Sequence, residues 1–140
     1  MYMGIIEGTF PPRYRREVKY RNAFVGWRCK KCGRVFYTPR KRCECGSREI
    51  EEIELPREGR VVTRTVVRNP PKGYEKYAPY AIAIIELDVD GQKVRVLGQL
   101  ADVDLDKIRT GMRVRATLRR IRAGRRGLIE YGVKRVPIEE

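Results

Sequence analysis

The chain's four cysteines fall within 17 residues, as Cys29-Lys-Lys-Cys32 and Cys43-Glu-Cys45, and it has no histidine. Four thiolates complete a closed tetrahedral zinc site and leave no open position for a substrate. The side chain best suited to acid–base chemistry near neutral pH is missing. The expectation is a structural zinc ion held by Cys29, Cys32, Cys43 and Cys45, not a hydrolytic centre. Each pair is followed by a glycine, Gly33 or Gly46, which can take positive φ and turn backbone N–H groups toward sulfur. The second pair is one residue shorter than the usual C-x-x-C. Three other readings stand beside zinc: a disulfide pair, a redox C-x-x-C, and a ribbon that has lost its metal. Disulfides are rare inside cells outside hyperthermophiles, and no βαβ pattern surrounds the first pair, as a redox motif requires.

A chain of 140 residues can hold one core of about 100 residues and a small stapled module. A knuckle module of about 30 residues buries too little surface to fold alone, so metal binding would supply its folding energy. The chain carries 32 Lys and Arg against 18 Asp and Glu, a net charge of +14. High charge of both signs fits a thermophile. From Arg113 to Arg126 there are seven arginines (Arg113, Arg115, Arg119, Arg120, Arg122, Arg125 and Arg126) and no acid. Such a run attracts phosphate or an acidic protein surface. Its plain alternative is a solvated strand face. No apolar run reaches membrane-spanning length. Ile5-Ile6 is followed at once by Glu7, which is no signal-peptide core, so the cytoplasm is expected and no membrane partner.

Three segments are expected. Residues 1–26 read as an extended arm through Phe10-Pro11-Pro12 and a short basic helix over 13–25, ended by Gly26. Residues 27–56 read as the ribbon, with a hairpin from Trp27 to Tyr37 and a third strand or linker from Ser47 to Leu55. Pro56 and Gly59 mark the boundary. Residues 57–140 read as all-β. Residues 60–69 alternate, and a loop from Pro70 to Pro79 follows. Residues 80–88 are nearly all apolar, which predicts burial on both faces. Asp90-Gly91 signals a hairpin, with a return strand over 92–97. An acidic connection or short helix over 100–110 precedes strands over 112–121 and 128–136. Five strands with that connection between the third and fourth are the layout of an OB-type barrel; an SH3-like barrel is the alternative. The fold class expected is mainly β: an N-terminal helix and rubredoxin-like zinc ribbon, then a five-stranded OB-fold barrel.

Several stretches together carry a resemblance. They are the run from Trp27 to Arg40, Cys43-Glu-Cys-Gly-Ser47, Gly59-Arg-Val-Val-Thr63, Ala78-Pro-Tyr80, Val96-Leu-Gly98 and Ile108-Arg-Thr-Gly-Met-Arg-Val114. From about residue 13 to 136 the chain resembles the archaeal and bacterial zinc-ribbon/OB-fold proteins that accompany thiolases. In archaea the gene usually sits beside an acetoacetyl-CoA thiolase and a hydroxymethylglutaryl-CoA synthase. The family's second knuckle is commonly Cys-Pro-x-Cys, from which Cys43-Glu-Cys45 departs. The resemblance implies a non-catalytic scaffold subunit of the mevalonate pathway. It would bridge the two enzymes, help hold coenzyme A, and pass a thioester from one to the other.

Coenzyme A offers a 3′-phosphate and a pyrophosphate to Arg and Lys donors, and its adenine can stack on aromatic or guanidinium planes. The candidates are Phe36, Tyr37, Pro39 and Arg40 beside the knuckle, and Tyr74, Tyr77 and Tyr80 from the barrel. Core or rim packing is the plain reading of each tyrosine. The alternative function is single-stranded nucleic-acid binding through the seven arginines, for which the barrel offers few stacking aromatics beyond Tyr80 and Tyr131. An enzyme in its own right is the third reading. Asp102, Asp104 and Asp106 lack the glycine and terminal glutamate of a calcium loop.

Overall fold

The computed structural model describes residues 24–123 and 129–138. They form two antiparallel sheets. The first has three strands, β1 (Val25–Cys29), β2 (Val35–Phe36) and β3 (Ile50–Glu54), in the order β2-β1-β3. The second has five, β4 (Glu58–Val67), β5 (Tyr80–Val89), β6 (Gln92–Gln99), β7 (Arg113–Ala123) and β8 (Ile129–Pro137), in the order β6-β5-β4-β7-β8. A parallel bridge between Leu100 and Arg135 joins the end of β6 to β8, and the Ala101 N–H donates to the Arg135 carbonyl at 2.8 Å. The bridge brings the two outer strands together as an OB-type barrel, the class expected from the strand order.

Local chemistry explains the path. Asp90 (φ 51°) and Gly91 (φ 84°) both take positive φ, as a two-residue type I′ hairpin turn requires. At Gly59, β4 lies so close to β5 that a Cβ would fall 2.6 Å from Ile85 Cγ2 and 2.8 Å from the Glu86 carbonyl. Glycine there lets β4 pair with β5 on one side and β7 on the other. Beyond Arg60, β4 and β7 diverge, because their pairing is confined to Glu58–Arg60 against Arg113–Arg115. The core of the barrel gathers Val61, Ala81, Ala83, Ile85, Leu87, Val94, Val96, Ile108 and Val114.

Two expectations are corrected. β5 is not buried on both faces: Ala81, Ala83, Ile85, Leu87 and Val89 point inward, whereas Tyr80, Ile82 and Ile84 are only half-buried. Among the described residues no second layer lies over its outward side. Val25 and Gly26, expected to finish a helix, lie in β1; the rest of that expectation, residues 13–23, lies outside the described residues. The acidic connection agrees with its expectation: it holds a single 3₁₀ turn, Leu105–Lys107.

The ribbon sheet is seated on the barrel. Val35 and Leu55 are buried in the barrel's core cluster. Gln92, at the start of β6, donates from Nε2 to the Gly33 carbonyl at 2.7 Å and accepts the Val35 N–H at 3.2 Å. Arg28 of β1 pairs with Asp90 of the β5–β6 turn. Among the described residues no helix is long and apolar enough to cross a membrane.

Candidate functional site

The four cysteines converge. Cys29 ends β1 and Cys32 follows in the turn to β2, while Cys43 and Cys45 come from the β2–β3 connection. Cys29 and Cys43 are buried, Cys32 and Cys45 exposed, and all four are free thiols. The Sγ atoms of Cys29 and Cys45 are 3.6 Å apart and those of Cys32 and Cys43 3.5 Å; all four lie within 4.8 Å of one another. A disulfide is about 2.05 Å long, so neither pair is bonded. Zinc–sulfur bonds of about 2.3 Å place tetrahedral sulfurs about 3.8 Å apart. The donor set and its spacing therefore fit one structural zinc ion.

The short second knuckle is accommodated by a tighter turn. In the first, the Gly33 N–H donates to the Cys29 carbonyl four residues back, and the Cys29 N–H to the Arg34 carbonyl. In the second, the Gly46 N–H reaches the Cys43 carbonyl three residues back, and the Cys43 N–H the Ser47 carbonyl. Each ring has lost one residue and kept its glycine at positive φ, 76° for Gly33 and 91° for Gly46. The electrostatics suit a cation. The Cys29 thiol is lowered to about 6, chiefly by the Cys32 backbone N–H. Cys32 is pushed up to about 12: the Arg34 N–H favours its thiolate, but Cys43, desolvation, Cys29 and Cys45 together outweigh it. Four sulfurs this close do not all ionise without a positive ion among them.

The aromatic candidates fall into two groups. Phe36 packs inside the ribbon with Cys29 and Cys43, and the Arg40 guanidinium sits 5.0 Å from its ring centre. Arg40 also pairs with Glu44 at 3.5 Å, Pro39 is exposed, and Tyr37 packs on the barrel core. Phe36, Tyr37 and Arg40 line a groove of about 520 Å³ between the ribbon and β6, with Arg34, Lys93 and Arg95 on its walls. Tyr74 and Tyr80 meet each other, ring centres 6.0 Å apart. They lie at the far end of the β5–β6 hairpin, where Tyr80 pairs with Val67. Nine residues of strand at about 3.3 Å each separate Tyr80 from the ribbon end of β5. Tyr77, half-buried, belongs to the loop before β5. One pocket therefore does not collect all seven residues.

Of the arginine run, Arg113, Arg115, Arg119 and Arg120 are exposed on β7. Arg113 pairs with Glu58 at 2.8 Å and Arg119 with Asp102 at 2.9 Å. Arg122 is placed by its backbone in β7; Arg125 and Arg126 lie outside the described residues. The described part of the run sits on β7, away from Tyr74 and Tyr80.

Sequence reasoning missed Arg135, the buried charged residue of the described chain, 3% exposed. Its guanidinium stacks 4.4 Å from the Phe24 ring centre, and Nη1 donates to the Arg57 carbonyl at 3.1 Å. A Cβ at Gly98 would lie 3.1 Å from Arg135 Cγ. Desolvation lowers its pKa to about 10, partly opposed by Tyr37. It ties the approach to β1, the β3–β4 linker and β6 to β8. Its one sequence signal is Gly98, the small residue that its stem covers.

Residues 16–51 match the model of the rubredoxin-like zinc ribbon domain of ChsH2, and residues 52–119 that of the ChsH2 C-terminal OB-fold domain. A "DUF35 domain-containing scaffold protein" of Methanocaldococcus jannaschii is 44% identical over 127 residues, covering 89% of this chain and 88% of that protein. The chain belongs to the DUF35 family. Another DUF35 scaffold protein, from Pyrococcus furiosus, is 41% identical over 90% of this chain and 91% of its own length. The chain is also similar to the benzoylsuccinyl-CoA thiolase subunit BbsA of Geobacter metallireducens, 31% identical over 79% of this chain and 73% of that one. Among solved structures, the Ltp2-ChsH2(DUF35) aldolase superposes with a TM-score of 0.67 and 27% identity, covering 86% of this chain and 89% of that chain. The thiolase-accompanying DUF35 family is thus the one that the sequence resembled.

Proposed function

We propose that this chain is a non-catalytic scaffold subunit of an acyl-CoA enzyme assembly in the cytoplasm, with acetoacetyl-CoA thiolase and hydroxymethylglutaryl-CoA synthase as the two enzymes that it bridges. The observation that carries the reading is near full-length similarity to archaeal proteins described as scaffolds. Similarity to a thiolase subunit supports a thiolase as one partner. The name aldolase belongs to the Ltp2-ChsH2 pair, which fits a DUF35 chain working beside a catalytic one.

In this reading Cys29, Cys32, Cys43 and Cys45 hold one zinc ion whose task is structural: it fixes the ribbon against β6. The groove with Arg34, Tyr37, Arg40, Lys93 and Arg95 supports a coenzyme A contact at a shared interface, its cations facing phosphates. Bridging keeps the product of one enzyme beside the next, so an unfavourable condensation is drawn forward by the following step.

The test is a native pull-down of the full chain from its own cell extract, with mass spectrometry. A thiolase and a hydroxymethylglutaryl-CoA synthase in fixed ratio are expected. Recovery of RNA or nucleic-acid enzymes, with no acyl-CoA enzyme, would sink the reading.

A further inference from the structure

The outward side of the β4–β5–β6 meander changes character halfway along. At the ribbon end its positions are charged: Glu86 faces Arg95 and Asp88 faces Lys93 across the strands, each an ion pair. Toward the other end, Ile84 pairs with Leu97, Ile82 with Gln99, and Tyr80 with Val67. Leu97 is 71% exposed, while Ile82, Ile84, Tyr80 and Val67 are half-buried. A β-strand apolar on both faces belongs to a sheet covered on both sides, yet among the described residues β5 is covered on one. Contiguous apolar exposure of this kind marks an interaction surface.

Charge selects the occupant. Arg68 after β4 and Lys72 and Lys76 in the following loop are exposed, and none of them makes an ion pair among the described residues, while the acid of that loop, Glu75, is engaged by the Gly73 N–H. These cations border an uncharged centre. A second copy would bring the same cations to the same rim of a chain at +14, which is repulsive. Nucleic acid would meet aliphatic Ile82, Ile84 and Leu97 in the middle, where base stacking needs aromatic planes. We infer that this face docks a protein surface whose apolar centre is ringed by carboxylates, on the acyl-CoA enzyme subunit that the scaffold carries. The inference rests on the scaffold reading and adds to it which side of the barrel makes the contact.

The experiment uses the full chain and the acyl-CoA enzyme recovered in the pull-down, with binding measured by biolayer interferometry. Leu97→Asp is expected to weaken binding by ~30-fold or more, as for a central interface residue. Circular dichroism and zinc content should match the unmodified chain, because Leu97 already stands in water. Arg68→Glu should slow association and reduce its salt dependence. Leu118→Asp, on the β7–β8 hairpin and 51% exposed, should bind normally. If Leu97→Asp binds the enzyme as tightly as the unmodified chain, the docking face is wrong and the scaffold reading survives. If the unmodified chain recovers no acyl-CoA enzyme, both fall. A dimer in sedimentation, or bound RNA, that Leu97→Asp releases would overturn the assignment in favour of that occupant.

Discussion

The ribbon and the barrel are built from the same kind of antiparallel strand but held together by different forces. The ribbon's buried cluster is Cys29, Phe36 and Cys43, with Trp27 and Ile50 partly buried against it. One of its strands, β2, is two residues long. So little apolar area cannot offset the entropy of ordering about 30 residues, and the thiolate cluster must supply the difference. The barrel instead closes strands of eight to eleven residues around a continuous aliphatic core. Where a fold draws its stability decides what can destroy it. Removing metal should dissolve one region, and removing a methyl group should loosen the other.

Metal removal has the largest expected effect. Structural zinc contributes about 10–16 kcal/mol of apparent binding free energy in small ribbon peptides. A strong chelator, or Cys43→Ser, should therefore abolish the ribbon's fixed structure while the barrel stays folded. Trp27, the single tryptophan, lies in β1, so its fluorescence reports the ribbon alone. Far-UV circular dichroism reports mainly the barrel. Simultaneous loss of both signals would show that the two regions form one cooperative unit.

Next comes the barrel core. Ile85 is fully buried and sits beneath Gly59. Ile85→Ala should cost about 2–5 kcal/mol in urea denaturation, through lost transfer energy and the cavity left behind. Zinc stoichiometry should remain one per chain. Zinc loss in this variant would mean that the ribbon depends on the barrel more than the barrel depends on the ribbon.

The contrast also governs what could be read from the sequence. The ribbon was legible because cysteine spacing states its own purpose. The barrel was legible because period-two alternation, Asp90-Gly91 and the acidic connection fall in OB order. Two things were not legible, for physical reasons. The run from Tyr80 to Asp88 says that both faces are apolar, but not whether the second cover comes from this chain or another. Arg135 reads as a solvent-facing strand residue, because only the folded chain brings Phe24 and the Arg57 carbonyl to its guanidinium. The aromatic candidates showed the same limit: composition proposes Phe36 and Tyr80 together, and the topology sets them at opposite ends of the β5–β6 hairpin.

The joint between the regions gives a smaller effect. Gln92 satisfies the Gly33 carbonyl and the Val35 N–H with one side chain. Gln92→Ala leaves both groups without it in a partly buried setting, at a cost of about 1–3 kcal/mol. Because Gly33 belongs to the first knuckle, zinc should also pass to a chelator faster. A change in barrel stability without a change in zinc release would place Gln92 in the barrel's energetics alone.

The smallest effect belongs to the β5–β6 turn and separates an acid-sensitive barrel feature from the metal chemistry of the ribbon. Lys93 Nζ donates to Asp88 Oδ2 at 3.0 Å, and the Gly91 N–H donates to Oδ1 at 3.1 Å. The Lys93 hydrogen bond first, then the Gly91 N–H and the Lys93 charge, hold the Asp88 carboxyl below its ordinary 3.8. A carboxyl whose folded pKa is depressed binds fewer protons folded than unfolded. Its contribution is therefore complete above pH 3.8 and fades as pH falls through the lower folded value. Asp88 is exposed, so the contribution is slight and screened by salt. Thermal melts of zinc-loaded chain above pH 5 should show Asp88→Asn close to the unmodified chain. Melts of chelated chain between pH 4 and pH 2 should show the unmodified barrel losing its small advantage over Asp88→Asn as acid is added. An advantage that persists unchanged to pH 2 would mean that it does not come from the ionised Asp88 carboxylate.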